Sequence, residues 1–254
     1  MSIATQDEWN GMREIGNVVG ITLEKMRTHA RVGMSTKELD EYGGNLLRSM
    51  GANSAPAVSY GFPGYTCISV NHEIAHGIPS STRILQEGDL INIDVSAEKN
   101  GFWADNGGSF VLGTDQHQHH ALVSASKNIL KKAIGQIRHN TSISSIGKLI
   151  ETEAAKAGFT VIRNLAGHGT GRNLHEAPHE ILNCYDRYNR ESFKKNSVVA
   201  VETFISTRSS LAREGKDGWT LTGNKGGFVA QHEHTIVVTD GEPIILTHLN
   251  GIWN

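Results

Sequence analysis

Leu90-Ile91-Asn92-Ile93-Asp94-Val95-Ser96-Ala97-Glu98-Lys99-Asn100-Gly101-Phe102-Trp103-Ala104-Asp105-Asn106-Gly107-Gly108-Ser109-Phe110-Val111-Leu112 reads as two strands joined by a tight turn. Asn-Gly between apolar runs is the strongest short hairpin signal, because the favoured two-residue loop needs positive φ at both positions. With Asn100 and Gly101 as the loop, Lys99 faces Phe102 and Asp94 faces Gly107. Asp105 is then a diagonal neighbour of Asp94 on the same face. An ionised acid in so apolar a strand is costly to bury without a cation, and two on one face repel. A metal ion between them is the usual remedy. The alternative open to this segment alone is an edge hairpin whose aspartates face water.

Two further acids repeat the anomaly. Glu202 lies in Ser197-Val198-Val199-Ala200-Val201-Glu202-Thr203-Phe204-Ile205, and Glu233 in Phe228-Val229-Ala230-Gln231-His232-Glu233-His234-Thr235-Ile236-Val237-Val238. Each is a lone carboxylate in a run that otherwise reads as a core strand. Between the pairs lies Ala166-Gly167-His168-Gly169-Thr170-Gly171, whose glycines let backbone pass close to a site. His168 with Asp94, Asp105, Glu202 and Glu233 makes a donor set rich enough in oxygen for two divalent ions.

Composition narrows the class. A chain of 254 residues, 38% hydrophobic and carrying a formal charge of −2, is expected to be globular, as one large domain or two fused small ones. No basic excess points to nucleic acid. Neither an N-terminal apolar run of signal length nor a membrane-spanning run of about 18 apolar residues occurs, so neither secretion nor a membrane partner is expected. Two cysteines, Cys67 and Cys184, are too few for a disulfide framework, and a cytoplasmic setting is the default expectation.

The organisation suggests duplication. Thr5-x-x-Glu8 and Ser35-x-x-Glu38 are capping boxes that predict helices of roughly 20 and 15 residues. Helical stretches follow at about 118–138 and 144–157. Met34-Ser35-Thr36-Lys37-Glu38-Leu39 resembles Ile143-Ser144-Ser145-Ile146-Gly147-Lys148-Leu149 at an offset of 109, and Asp94 and Glu202 are offset by 108. These near-equal spacings favour two related α/β halves, about 1–113 and 114–254, each giving two carboxylates to a site at their interface.

Val70-Asn71-His72-Glu73-Ile74-Ala75-His76-Gly77-Ile78-Pro79, Asn92-Ile93-Asp94-Val95, Gly167-His168-Gly169-Thr170-Gly171 with His175-Glu176-Ala177-Pro178, and Gln231-His232-Glu233-His234-Thr235-Ile236-Val237-Val238 together resemble the type I methionine aminopeptidases, from about Trp9 to Leu246. The resemblance implies an α+β "pita-bread" fold: two pseudo-symmetric α/β halves around a curved antiparallel sheet, with helices outside, in a single catalytic domain. Type II relatives insert a helical segment between the last two glutamates. Here Glu202 and Glu233 are only 31 residues apart, which favours type I.

By this resemblance Asp94 binds one metal, Asp105 and Glu233 bridge, and His168 and Glu202 bind the other. The ions would be Co, Mn, Fe or Zn, and a bridging hydroxide would attack the first peptide bond of a nascent protein or peptide with N-terminal methionine and a small second residue. Glu202 would shuttle the proton, His175 would stabilise the oxyanion, and His76 would hydrogen-bond the scissile nitrogen. The same resemblance implies a methionine pocket at Phe62, Tyr65, Cys67, Leu174 and Trp219, and a monomeric enzyme meeting nascent chains near the ribosome. Met1-Ser2 is itself a substrate-like start.

Departures from the family pattern are Asn106-Gly107-Gly108 after Asp105, Thr203 after Glu202 and Leu174 before His175. The glycine pair is expected to loosen, and so to bulge, the second strand of the hairpin. Two other readings stay open: a proline-specific peptidase of the same fold, and a binding module that has lost catalysis. Among the remaining histidines, His117, His119 and His120 are expected to be solvated at a helix start, and His232 and His234 to point away from Glu233. The stretch 185–190 reads as an exposed loop.

Overall fold

The computed structural model describes residues 1–253. In chain order come α1 (Gln6–His29), α2 (Thr36–Ser49), β1 (Asn53–Ser54), α3 (Ala55–Tyr60), β2 (Cys67–Val70), β3 (Glu73–Ala75) and the hairpin β4 (Leu90–Lys99) and β5 (Phe102–Val111). Next are α4 (His120–Gln136), α5 (Ile143–Lys156), β6 (Thr160–Val161), β7 (Ala166–Gly169), β8 (Glu176–Leu182) and β9 (Val198–Ser206). The short strands β10 (Ala212–Glu214) and β11 (Leu221–Gly223) precede β12 (Val229–Val237) and β13 (Ile244–Ile245).

Both capping boxes form. The Thr5 hydroxyl accepts from the Glu8 N–H while the Glu8 carboxylate accepts from the Thr5 N–H, and Ser35 and Glu38 do the same. Two of the orphan amides that open each helix are thereby satisfied. At α4 the Asp115 carboxylate accepts the N–H groups of both His119 and His120. This fold-back corrects the expectation of three solvated histidines. His117 and His120 are exposed, but His119 is only 4% exposed and packs against the Phe228 ring. Tyr185 and Tyr188, in the segment read as an exposed loop, are exposed.

The main sheet has ten strands, in the order β1-β4-β5-β12-β9-β7-β8, with β2 on β4, β6 on β9 and β13 on β12. Its pairings are antiparallel throughout the described residues. Asn100 and Gly101 take φ of 53° and 78°, as a two-residue loop of this kind requires. Register runs unbroken from Lys99↔Phe102 to Leu90↔Val111, so Gly107 and Gly108 do not bulge β5 against β4.

Strand alternation gives the sheet two different faces. Ile91, Ile93 and Val95 join Met12, Ile15, Val19 and Leu23 of α1 in one core. Val199, Val201, Ala230 and Ile236 join Leu122, Ile129 and Leu130 of α4 in another. The opposite face carries Asn92, Asp94 and Ser96 from β4, Asp105 from β5, Glu202 from β9, and Gln231 and Glu233 from β12. Helices thus cover one face, and the polar residues are gathered on the other.

Candidate active site

Asp94 and Asp105 lie on the polar face as diagonal neighbours, since Asp94 pairs with Gly107 and Asp105 with Ser96. Glu202 and Glu233 are paired directly across β9 and β12. His168 reaches them because β7 runs beside β9, with His168 opposite Ala200. That approach needs glycine on both sides: a Cβ on Gly167 would collide with the Ala200 carbonyl, and one on Gly169 with the Ala177 carbonyl.

Asp105, His168, Glu202 and Glu233 are all buried, with exposures of 6%, 5%, 8% and 1%. Ligand atoms of Asp105, His168 and Glu233 lie within 4.8 Å of one another. His168 Nδ1 sits 3.0 Å from the Gly169 carbonyl, and its Nε2 is 3.7 Å from Asp105 Oδ2. The cavity above them, about 200 Å³, has no Lys or Arg in its lining among the described residues. Asp105 Oδ1 is buried without a hydrogen-bond partner.

Electrostatics follow from this geometry. Burial raises the pKa of Asp94 to about 6. Burial pushes Asp105 well above the usual carboxylate range, helped by the charges of Glu233 and Asp94. Glu202 is raised by burial, then by Asp94 and Asp105, and Glu233 by burial, then by Glu202 and Asp94. Burial lowers His168 to about 3, so its ring is neutral and able to ligate. Four crowded carboxylates, an orphaned oxygen and a neutral imidazole fit divalent cations, whose charge supplies what the protein leaves uncompensated.

Much of the remaining wall is apolar. Phe62, Cys67, Leu174 and Trp219 line the cavity, as the sequence suggested, and the Phe62 and Trp219 rings meet edge to face at 5.2 Å. Trp219 is held by a turn in which Asp217 Oδ1 accepts its N–H at 2.9 Å. Cys67 pairs with Asp94 across β2 and β4, and burial keeps its thiol protonated. Tyr65 is not in the wall and is a correction. Its N–H donates to the buried Asp40 carboxylate, and its ring lies against Gly44 and under the Arg48 guanidinium, 4.8 Å away.

His76 and His175 both line the cavity. Both residues are exposed, yet the surrounding protein desolvates their rings enough to lower both pKa values, His175 further by repulsion from His76. The His175 ring lies 4.1 Å from that of His168, and its Nδ1 is 2.6 Å from the Tyr60 hydroxyl. Tyr60, Leu165 and Phe204 also line the cavity and escaped the sequence reading. Phe204 was open to it, two residues from Glu202 on the same strand face. Tyr60 sits on a six-residue helix that gave no signal. The Met1 amino group is engaged within the fold, donating to the Thr170 carbonyl at 2.7 Å and pairing with Glu176.

The chain is similar to known proteins over nearly its whole length. Methionine aminopeptidase 2 of Bacillus subtilis (strain 168) is 48% identical over 249 residues, covering 98% of this chain and all of that protein. A Methionine aminopeptidase of Staphylococcus epidermidis is 41% identical over 251 residues, again covering 98% of this chain and all of that one. The crystal structure of Methionine aminopeptidase from Thermotoga maritima superposes with a TM-score of 0.92 at 29% identity, covering 97% of this chain and 99% of that one. Residues 10–240 match the family model described as Metallopeptidase family M24. With that match spanning both acid pairs and His168, the chain belongs to metallopeptidase family M24.

Proposed function

We propose that this protein is a methionine aminopeptidase that removes N-terminal methionine from nascent proteins and peptides whose second residue is small. The single observation that carries the reading is the junction of an apolar, aromatic-walled recess with a cluster of His168 and four carboxylates, three of them buried. Relatives named methionine aminopeptidase match nearly the full chain, which supports the same substrate class here.

Asp94, Asp105, His168, Glu202 and Glu233 would hold two divalent ions, with Mn, Fe, Co and Zn all compatible with the donor set. Ions there would supply Lewis acidity, polarising a carbonyl and lowering the pKa of water toward neutrality. The protein's own residues do the rest. Phe62, Cys67, Leu174 and Trp219 take the thioether side chain, where sulfur–aromatic contact is worth roughly 0.3–1.5 kcal/mol. Glu202 would take a proton from the attacking water and return it to the leaving amine. His175 and His76 stand at the cavity wall as neutral rings, His175 donating to the developing oxyanion and His76 hydrogen-bonding the scissile N–H group. The free α-amino group of the substrate would bind at the metal centre, which would restrict attack to the first residue.

We assign type I on the connection between β9 and β12. Among the described residues it contains only the β10–β11 hairpin and no helix. The assignment rests on that connection and not on the numeral in the Bacillus subtilis relative's name. We further infer one catalytic domain built from halves at about 1–113 and 114–254, acting as a cytoplasmic monomer on chains near the ribosome. No helix of the described residues is long and apolar enough to cross a membrane. The test is release of free methionine from Met-Ala-Ser by chelator-stripped protein titrated with Mn, Fe, Co and Zn. Metal-dependent release, with none from an Xaa-Pro peptide, is expected; inactivity of the folded protein with every metal would overturn the reading.

A further inference from the structure

Gln231 lies beneath the acid cluster on the same face of β12 as Glu233 and is 1% exposed. Its Nε2 donates to Glu233 Oε2 at 3.1 Å and to Glu202 Oε2 at 3.3 Å. An amide can be built either way round, and here Asn92 decides. The Asn92 Nδ2 donates at 2.7 Å to Gln231 Oε1, which turns the Gln231 NH₂ group toward the two glutamates. Asn92 is itself held, donating to Ser109 Oγ at 3.2 Å, and Ser109 Oγ accepts the Gln231 N–H at 2.9 Å. The network therefore closes on three strands, β4, β5 and β12.

Gly107 makes the room. A Cβ at that position would collide with both the oxygen and the nitrogen of the Gln231 amide. The departure Asn106-Gly107-Gly108 noted in the sequence thus acquires a role: the first glycine of the pair opens β5 where the Gln231 amide lies.

We propose that Gln231, oriented by Asn92 and admitted by Gly107, is a positioning residue for the metal centre. It ties one oxygen of Glu202 and one of Glu233 to a single amide, leaving the other oxygen of each for a cation. Two carboxylates directly opposite across antiparallel strands would otherwise splay apart. The shared donor sets their spacing before any ion arrives, and partners of this kind are commonly worth 10- to 100-fold in metal affinity. This inference rests on the metallopeptidase reading above.

The experiment is calorimetric titration of Mn²⁺ into chelator-stripped wild-type protein and Gln231→Met, with Co²⁺ visible absorption spectra of both. The expected result is a fall in affinity for the first equivalent of roughly 10- to 100-fold and an altered Co²⁺ spectrum, with the metal-free circular dichroism unchanged. Asn92→Leu, which leaves Gln231 in place but frees its amide to turn, is expected to move both readouts in the same direction by less. Wild-type affinity and spectrum in a folded Gln231→Met protein overturn the proposal. Should that variant not fold, the same result in Asn92→Leu overturns it. Wild-type protein that takes up no divalent ion overturns the metallopeptidase reading itself, and this proposal with it.

Discussion

Glu202 and Glu233 face one another directly across β9 and β12, with exposures of only 8% and 1%. Like charges placed opposite in a sheet destabilise it, and burial makes the repulsion harder to screen. Burial raises both pKa values, helped at Glu202 by the charges of Asp94 and Asp105 and at Glu233 by those of Glu202 and Asp94, so the protonated forms are favoured when no cation is present.

Metal binding is therefore expected to compete with protons. Asp94, raised to about 6, is mostly protonated at pH 5 and mostly ionised at pH 7.5. The metal-bound state needs ionised acids, so the gain in Tm on adding Mn²⁺ should grow as pH rises through that interval. For each proton displaced, apparent affinity should fall about tenfold per pH unit below the folded-state pKa. Differential scanning with and without Mn²⁺ at pH 5, 6 and 7.5 checks this. A Tm gain independent of pH would show that the carboxyls are ionised in the metal-free protein.

Replacing His175 tests the oxyanion assignment. His175→Ala leaves all five proposed ligands in place, so metal stoichiometry should be unchanged while kcat falls roughly 10²- to 10³-fold. Tyr60→Phe is a finer probe. The Tyr60 hydroxyl lies 2.6 Å from His175 Nδ1, and the tautomer with its ring proton on Nε2, which an oxyanion donor needs, is the one in which this hydroxyl donates. Losing one such bond, worth about 1.4 kcal/mol at most, should lower kcat by up to about tenfold with little change in KM. Unchanged kcat in both variants would remove His175 from the chemistry.

How far the sequence led depends on distance along the chain. The Asp94–Asp105 relation was legible because Asn100-Gly101 fixes a local register and strand period does the rest. Glu202 and Glu233 were legible as acids in core strands, but their direct opposition was not, since it depends on the register of strands joined through a long connection. The Tyr65 expectation failed because Asp40, from α2, captures the backbone at Tyr65 and Thr66 and turns the ring toward Arg48. His119 looked solvated because nothing local revealed that Phe228 would pack on it. Gln231 lay inside a recognised motif without any role, because its partner Asn92 comes from the other half of the chain.

His232 and His234 point to the helix side of the sheet, as alternation with Glu233 requires, and contact Ser126 and Thr247. Burial lowers both pKa values to about 3. For a base whose pKa falls on folding, the stabilising contribution is complete above the unfolded value near 6.5 and is lost as pH falls toward the folded value. Each should cost up to about 1.4 kcal/mol per pH unit below 6.5. His234→Gln, compared with wild type by urea unfolding in chelator at pH 7 and pH 5, should lose less stability on acidification. An equal loss would mean His234 is already protonated in the fold.

Trp219 stands on a loop, half-buried, with Phe62 packed edge to face against it in the wall of the recess. It belongs to neither of the two large cores, so removing it should spare the fold while opening one wall of the pocket. Because the methionine side chain sits in that pocket both before and during reaction, the lost contact is uniform binding and should appear in KM, leaving kcat little changed. A sulfur–aromatic contact of roughly 0.3–1.5 kcal/mol predicts a rise of about 2- to 10-fold in KM for Met-Ala-Ser with Trp219→Ala. Asp217→Ala touches no substrate but releases the turn that holds the Trp219 backbone, so it should raise KM in the same direction by less. A fall in kcat at constant KM in Trp219→Ala would instead tie the indole to the reacting centre, and the side-chain recess would then have to be sought along Leu165 and Phe204.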